Sequence, residues 1–277
     1  MILTLVSLTA AALAVTPPAA DSLINAPDRA WAVRLDAEVG FLAPLAHTIQ
    51  FGHSGTKFDY VADGAQNVLF PVLRFDAGLD VGKRETFSLL YQPLDLRTEV
   101  VLHQDILVDT VTFQAGEPVD LRYGFSFWRA TWLHELLPAP EREFSIGLAL
   151  QLRDANISFT SADGTKRFVE HDVGPVPALA ARLRLPVGKA GFVGAEATGI
   201  YAPIKYLNGS NVDVVGALLD TSVRGGFALP HGTDVFLCAR YIGGGAEGTA
   251  KNSEAFGDGY TANWLHFATL SLGASLR

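Results

Sequence analysis

The sequence predicts an all-β protein, a closed antiparallel transmembrane β-barrel of about ten strands, from three observations. Apolar and polar residues alternate along most of the chain, and short polar turns alternate with long polar loops. Hydrophobic residues make up 49% of the 277 residues and charged residues only 18%, against roughly 25% charged in an ordinary soluble domain. The chain is therefore too apolar to be disordered and lightly charged for a cytosolic enzyme.

The first twenty residues predict export. They carry no charged side chain, and residues 2–15 form an apolar run. A bilayer-spanning helix needs about 20 residues, whereas the core of a secretory signal peptide is shorter and is followed by small residues such as Ala12 and Ala14. We expect a signal peptide over 1–20, cleaved after Ala14 or Ala20, and one transmembrane barrel domain over 21–277. A short uncleaved anchor is the alternative.

Alternation with a period of two identifies the strands. Between residues 144 and 152 every even position is apolar, whereas the odd positions are small or polar. The same pattern gives ten segments: 31–45, 69–82, 86–102, 119–137, 143–160, 173–187, 191–202, 213–229, 234–243 and 263–277. Short turns lie at 82–85, 138–142, 188–191 and 230–233, and long loops at 46–68, 103–118, 161–172, 203–212 and 243–263.

A soluble exported β-sandwich, similar to a lectin, would also alternate, because its strands have one face in a core and one in water. The sorting of the loops by length onto two ends favours a membrane barrel with short periplasmic turns and long outer loops. Each segment also reaches the roughly 9–11 residues that a tilted strand needs to span a bilayer. In lipid every backbone group must be paired, so the sheet has to close.

The chain resembles bacterial outer-membrane β-barrel proteins. The segments SLLYQPLDLR (88–97), LRDANI (152–157) and ARYIGGGAE (239–247) are similar to stretches of uncharacterised small single-chain barrels. The resemblance implies the fold, a location in the outer membrane of a Gram-negative bacterium, and contact with outer-membrane lipid, lipopolysaccharide and the barrel-assembly machinery. It implies no assigned activity.

Charged residues recur on the polar face, and an arginine facing lipid would cost about 2–4 kcal/mol at the bilayer midplane. We therefore expect a charge network inside the lumen: Arg34, Asp36, Glu38, Arg74, Asp76, Arg97, Arg129, Arg153, Arg182, Arg184, Glu196, Asp220, Arg224 and Arg240. Enclosed charges need partners, so these groups predict a lumen plugged by its own side chains. A narrow anion-preferring channel is the alternative.

The expected function is therefore a structural or small-solute-binding role. A barrel enzyme, either a lipid A-modifying hydrolase or a protease at the rim, is the rival. Its weak candidates are His171 and Asp172, although neighbours in a strand point to opposite faces. A hydrolase could also use His53 or His103 with Ser88 or Ser126, but nothing in the sequence sets their geometry.

No cofactor or metal site is predicted. Residues 243–248 match G-x-G-x-x-G, but no helix pattern follows, as a dinucleotide site requires. The single cysteine argues against a thiolate metal site, and the net charge of −8 argues against nucleic acid. The oligomeric state stays open.

Aromatic girdles are expected near the strand ends: Trp31, Tyr60, Phe70, Tyr91, Trp128, Trp132, Tyr201, Tyr241, Tyr260 and Trp264.

Overall fold

The computed structural model describes residues 22–25, 30–137, 142–203, 213–249 and 258–277. They form a closed antiparallel barrel of ten strands, which confirms the predicted fold class. The predicted signal peptide, the loop at 203–212 and most of the turn at 138–142 lie outside the described residues. Among the described residues, no helix has the length and apolar character needed to cross a bilayer.

Within these described ranges the elements follow one another as fourteen strands and a single 3₁₀ turn. They are β1 (Trp31–Phe51), β2 (Phe58–Asp59), β3 (Phe70–Val81), β4 (Glu85–Gln92), β5 (Asp95–Val101), β6 (Ile106–Val108), β7 (Val111–Phe113), β8 (Pro118–Glu135), β9 (Glu143–Ser161), β10 (Arg167–Val187), β11 (Gly191–Pro203), β12 (Asp213–Leu229), η1 (Pro230–Gly232), β13 (Thr233–Thr249) and β14 (Tyr260–Leu276).

Neighbouring strands pair in sequence order, and β4 and β5 together make one wall strand broken at Pro93 and Leu94. The barrel closes where β1 pairs with β14 over sixteen positions, from Leu35↔Leu276 to Phe51↔Thr261. Short turns and the C-terminus lie at one end, which we call the turn end, and long loops lie at the other, the loop end. Because the sheet closes, none of its wall strands is left unpaired along its whole length on either side.

Several strands run further towards the loop end than the alternation predicted. β1 continues to Phe51, β10 already begins at Arg167 and β13 continues to Thr249. In these extensions polar residues such as Gln50, His171 and Glu247 appear on the outer face, so the sequence pattern weakens while backbone pairing continues. The hairpin of β9 and β10 is consequently joined by only a short turn at 162–166.

The outer face of the wall carries a belt of exposed apolar side chains. Its members come from every part of the sheet: Val39, Phe75, Phe87, Leu148, Leu150, Leu179, Val193, Val223, Leu237 and Leu272. A water-soluble protein rarely exposes so large a contiguous apolar surface. A belt of this kind around a closed barrel is the arrangement that lipid requires.

Candidate functional site

An ion-pair plug fills the turn-end half of the barrel. Along the strands most exposed residues of the outer face are apolar, and many of the alternate, inward-facing residues are polar or charged. The plug contains eight arginines and eight carboxylates among the described residues, which balances its charge: Arg34, Arg74, Arg129, Arg182, Arg184, Arg224, Arg240, Arg277, Asp36, Glu38, Asp76, Asp80, Glu143, Glu196, Asp220 and Asp234.

Asp220 lies where the plug meets the loop-end half. One of its carboxylate oxygens lies 2.8 Å from Arg240 Nη1 and the other 2.8 Å from Arg129 Nη2. Arg240 also reaches Glu38 at 3.2 Å, and Ser271 Oγ donates to the same carboxylate at 2.7 Å. Arg129 donates to Gln151 Oε1 at 2.7 Å. These contacts cross the bore from β8 to β1 and β14.

Glu196 is the centre of the layer below. Its carboxylate lies 3.2 Å from Arg182 Nε, 3.2 Å from Arg224 Nη2 and 3.5 Å from Arg74 Nη2. A single carboxylate thus joins arginines from β3, β10 and β12. Because these groups are enclosed, the charge of each arginine has to be compensated by a carboxylate partner.

At the turn end, the plug is completed by groups near the strand termini. Arg34 lies 3.0 Å from Asp80, and Asp234 lies 3.0 Å from Arg184 and 3.2 Å from the terminal Arg277. Of these, Asp80, Asp234 and Arg277 were missing from the expected network. Asp80 shares the inward register of Asp76, and Asp234 and Arg277 share that of Arg240 and Ser271, so extending the alternation to the strand ends would have found them.

Facing residues of β1 and β3 do not all carry opposite charges. Glu38 faces Arg74, as the sequence suggests, but Asp36 faces Asp76 and Arg34 faces Gly78. The two like charges are accommodated because Arg74, Arg182 and Arg224 surround the same small void. The charges of Asp36 and Asp76 are therefore neutralised by arginines from across the bore and not by the residues that face them on the neighbouring strand.

Above the plug, the loop-end half contains a cavity of about 250 Å³. Arg129 and Gln151 form part of its floor, and Phe125, Phe127 and Ile242 are among its apolar walls. The charged groups that line it are Arg129, Arg153, Glu170 and Asp172. A mostly apolar cavity with a few polar groups is the usual form of a small-molecule site.

Glycines of β13 form one side of this cavity. Gly244 has φ +143°, and a Cβ there would lie 2.3 Å from the backbone oxygen of Ala217. It belongs to the G-x-G-x-x-G match at 243–248, which lies within β13 and does not open a helix. The motif therefore provides a close backbone approach between β12 and β13 and a smooth cavity wall.

The other side of the loop-end half is filled by an aromatic core. Residues 52–69 fold into the barrel mouth, where the short β2 pairs with the edge of β1 beyond the end of its pairing with β3. Tyr60 is fully buried there, stacked on His47 with ring centroids 4.4 Å apart and packed edge-on against Phe58 at 5.2 Å. His47 Nδ1 lies 2.8 Å from Gln66 Oε1. Tyr60 and Phe70 thus belong to the interior, which corrects their expected place in an outer girdle.

A contact between two loops holds this segment at the loop end. Asp258 accepts hydrogen bonds from the backbone N–H of His53 at 2.8 Å and of Tyr260 at 3.0 Å. Together with the His53 side chain, these bonds lower the pKa of Asp258 to about 2. The carboxylate is therefore ionised at any physiological pH and ties residues 52–57 to the start of β14.

Comparison with known proteins concerns the architecture alone. No protein-family model matches the chain, and no curated protein matches it in sequence. The outer membrane protease OmpT of Escherichia coli superposes with a TM-score of 0.50 at 10% identity, over 88% of this chain and 96% of that one. The chain has the fold of bacterial outer-membrane β-barrels.

Two further outer-membrane barrels match less closely. Neisserial surface protein A gives a TM-score of 0.33 at 9% identity, over 90% of this chain and 99% of that one. A Pseudomonas aeruginosa FadL homologue gives 0.38 at 7% identity, over 88% and 90%.

Within this outer-membrane barrel fold, two of the expected lumen arginines lie away from the plug. Arg97 is 68% exposed and bonds Asp95 on the outer face of β5, so its assignment to the lumen was wrong. The break before β5 does not change the register, because Gln92, Leu94 and Leu96 all stay buried. Arg153 faces inward but lines the cavity, with its guanidinium 5.6 Å from the Phe125 ring centroid.

The enzyme candidates are not brought together. His171 lies on the outer face of β10, 2.8 Å from Asp154, whereas Asp172 faces the cavity. Ser126 Oγ accepts a long hydrogen bond from the backbone N–H of Leu94 at 3.4 Å, and His53 is engaged with Asp258. The outer-membrane barrel thus offers a cavity and a plug as its principal features.

Proposed function

We propose that this protein is a plugged outer-membrane barrel that binds a small, largely apolar solute in its loop-end cavity. The observation that carries the proposal is the position of the cavity directly above the ion-pair plug. Its floor residue Arg129 is held by Asp220 and Gln151, so a solute entering from the loop end would be retained. A continuous anion path is disfavoured because eight carboxylates neutralise the eight arginines of the plug.

The solute should be smaller than most drug-like ligands, since small-molecule pockets commonly measure about 300–1,000 Å³. Aromatic and aliphatic walls favour an apolar body, and Arg153 and Asp172 can orient a polar end. In such pockets a few polar groups at fixed positions set the orientation of the ligand.

Binding can be measured with N-phenyl-1-naphthylamine, whose emission rises in apolar surroundings, on the protein in lipid nanodiscs. We expect Ala155→Trp, which places an indole in the cavity, to weaken binding at least about tenfold because it occupies the probe's volume. Ala130→Trp is the matched control, since Ala130 is exposed on the outer face between Trp128 and Trp132. Equal signals from the two variants would show that the probe resides only in lipid.

The proposed location is the bacterial outer membrane, reached after removal of residues 1–20 and insertion by the barrel-assembly machinery. The exposed apolar belt supports contact with lipid, and the polar wall above it suits contact with lipopolysaccharide. The termini and short turns would then face the periplasm, with the loop end outside.

Protease treatment of intact cells tests that orientation. We expect trypsin to cut near Lys57, Lys166 or Lys251 and to spare Lys83 and Lys189, which lie in the short turns. Lys57 is exposed, whereas Lys166 is paired with Glu117 at 2.7 Å and should be cut more slowly; Lys251 lies outside the described residues. Cleavage confined to Lys83 and Lys189 would reverse the topology.

A further inference from the structure

We propose that the cavity is loaded sideways from the lipid bilayer, through a seam in the barrel wall between β10 and β11. The ligand would then be a lipophilic molecule with a polar end that dissolves in the outer leaflet. This inference rests on the proposed solute-binding role and adds to it a route and a ligand class. The seam consists of residues 175–178 of β10 and 200–203 of β11.

Backbone pairing shows the seam directly. β10 and β11 pair from Val187↔Gly191 to Leu179↔Gly199 and no further among the described residues. Beyond that point β11 stays paired with β12 through Pro203↔Val215, and β10 stays paired with β9 through Arg167↔Thr160. Both strands continue, but they no longer bond to each other, so the wall lacks a ladder there.

Two prolines explain why the ladder stops. Successive residues of a strand direct their N–H groups to opposite neighbours, and β9 pairs without interruption across both Pro175 and Pro177. The positions that lack an N–H therefore face β11. Proline is tolerated in sheets where a strand behaves as an edge, and these two give β10 an edge within an otherwise closed barrel.

The seam lies beside the cavity and is apolar on both faces. Inside, Val176 and Ile200 pack with the buried Ala178 and Leu218, and Leu218 also lines the cavity. Outside, Leu179 is 68% exposed and Tyr201 is 74% exposed. A lipophilic molecule would thus meet no charged side chain among these residues between the outer surface and the cavity.

The height of the seam matches the loop-side edge of the apolar belt. Pro175 and Pro177 lie opposite Leu152 and Leu150, the last belt residues of β9. The next outward residues towards the loop end are Asp154 on β9 and Val173 on β10, followed by His171, which pairs with Asp154. In the proposed orientation the seam therefore opens at the level of the outer leaflet.

A second interruption in the wall provides a contrast. β3 and β5 also lack a shared ladder among the described residues, but there the aromatic core fills the inside. Thr98 Oγ1 donates to the backbone oxygen of Gly64 at 2.6 Å, which fixes residues 52–69 across the gap. At the β10–β11 seam the cavity begins at the adjacent Gly174, which lines it and where an added Cβ would meet no atom within 4 Å.

Cysteine labelling in nanodiscs tests the route. In a Cys238→Ser background, Val176→Cys reports on the seam, and Ile242→Cys is the control. Ile242 is also inward and β-branched and lines the cavity, but its strand is paired on both sides. N-(1-pyrenyl)maleimide is first dissolved in the bilayer, and a charged, membrane-impermeant methanethiosulfonate is supplied from water in parallel.

For each variant we divide the labelling rate of the bilayer-dissolved maleimide by that of the charged reagent. We expect this ratio to be at least about tenfold higher for Val176→Cys than for Ile242→Cys, because the maleimide enters through the seam. Gly174→Cys, which has room for a side chain, should follow Val176→Cys and serves if that variant folds poorly. Equal relative rates at all three sites would overturn the lateral route. If N-phenyl-1-naphthylamine still binds in that case, the cavity is a binding site that is loaded from the loop end. If Ala155→Trp does not weaken binding of this probe, the solute-binding role itself is rejected.

Discussion

Asp220→Ala should destabilise the barrel by about 3–5 kcal/mol, since removing one partner from a buried ion pair leaves charges uncompensated. Asp220 is only 2% exposed and neutralises both Arg129 and Arg240 at 2.8 Å. The measurement is the temperature at which the folded form is lost on unboiled gels. Planar-bilayer recording should show a silent wild type and a leak in the variant, because the contact between plug and cavity floor is broken.

Asp95→Ala is the matched control. Asp95 also binds two arginines, Arg97 and Arg122, but its side chain is 37% exposed on the outer wall. Solvent screens that cluster, so its loss should cost about 0–1 kcal/mol. Equal melting temperatures for Asp220→Ala and Asp95→Ala would contradict the plug, and a steady anion-selective current in the wild type would replace it with an open path.

Tyr60→Ala should cost about 3–5 kcal/mol, the usual range for truncating a buried aromatic side chain. Its ring joins His47, Phe58 and Tyr123 in the aromatic core, and its backbone pairs with His47 and Gln66. Loss of the ring should also release residues 52–69, which faster trypsin cleavage at Lys57 would report together with the lower melting temperature.

Two substitutions serve as controls for this prediction. The Tyr60 hydroxyl makes no hydrogen bond within the described residues, so Tyr60→Phe should be nearly neutral. Tyr201→Ala removes an exposed ring from the outer wall and should leave cleavage at Lys57 unchanged. Equal cleavage of the wild type and Tyr60→Ala would mean that residues 52–69 are not anchored by this core.

The alternation of apolar and polar residues predicts the ten wall segments because one face meets an apolar environment and the other a crowded lumen. It also selects most of the plug, from Arg34 on β1 to Arg240 on β13. Where the chain rises above the apolar belt, the outer face becomes polar and the contrast that defines the strand disappears. The ends of β1, β10 and β13 were therefore underestimated.

The cavity and the aromatic core were not predictable in the same way. Residues 52–69 look like a polar loop, and their burial depends on contacts with β8, β9 and β14 that lie far away in the sequence. Arg97 was misplaced because the alternation of apolar and polar residues is irregular around Pro93, whereas the strand keeps its register across the break. The seam depends on which neighbour each proline faces, which the sequence of β10 alone does not specify.

The partners of Glu38 set an order of events for folding. Its carboxylate on β1 is held by Arg240 on β13 and by Ser271 on β14, which are 202 and 233 positions away. Contacts between such distant parts of a chain form late, since the entropy of a large loop must be lost first. Until β14 reaches β1, the first strand therefore carries a carboxylate with only Arg74 beside it. Closure of the wall therefore also completes the pairing of Glu38, and a chain halted with nine strands in place would leave this carboxylate without its partners on β13 and β14.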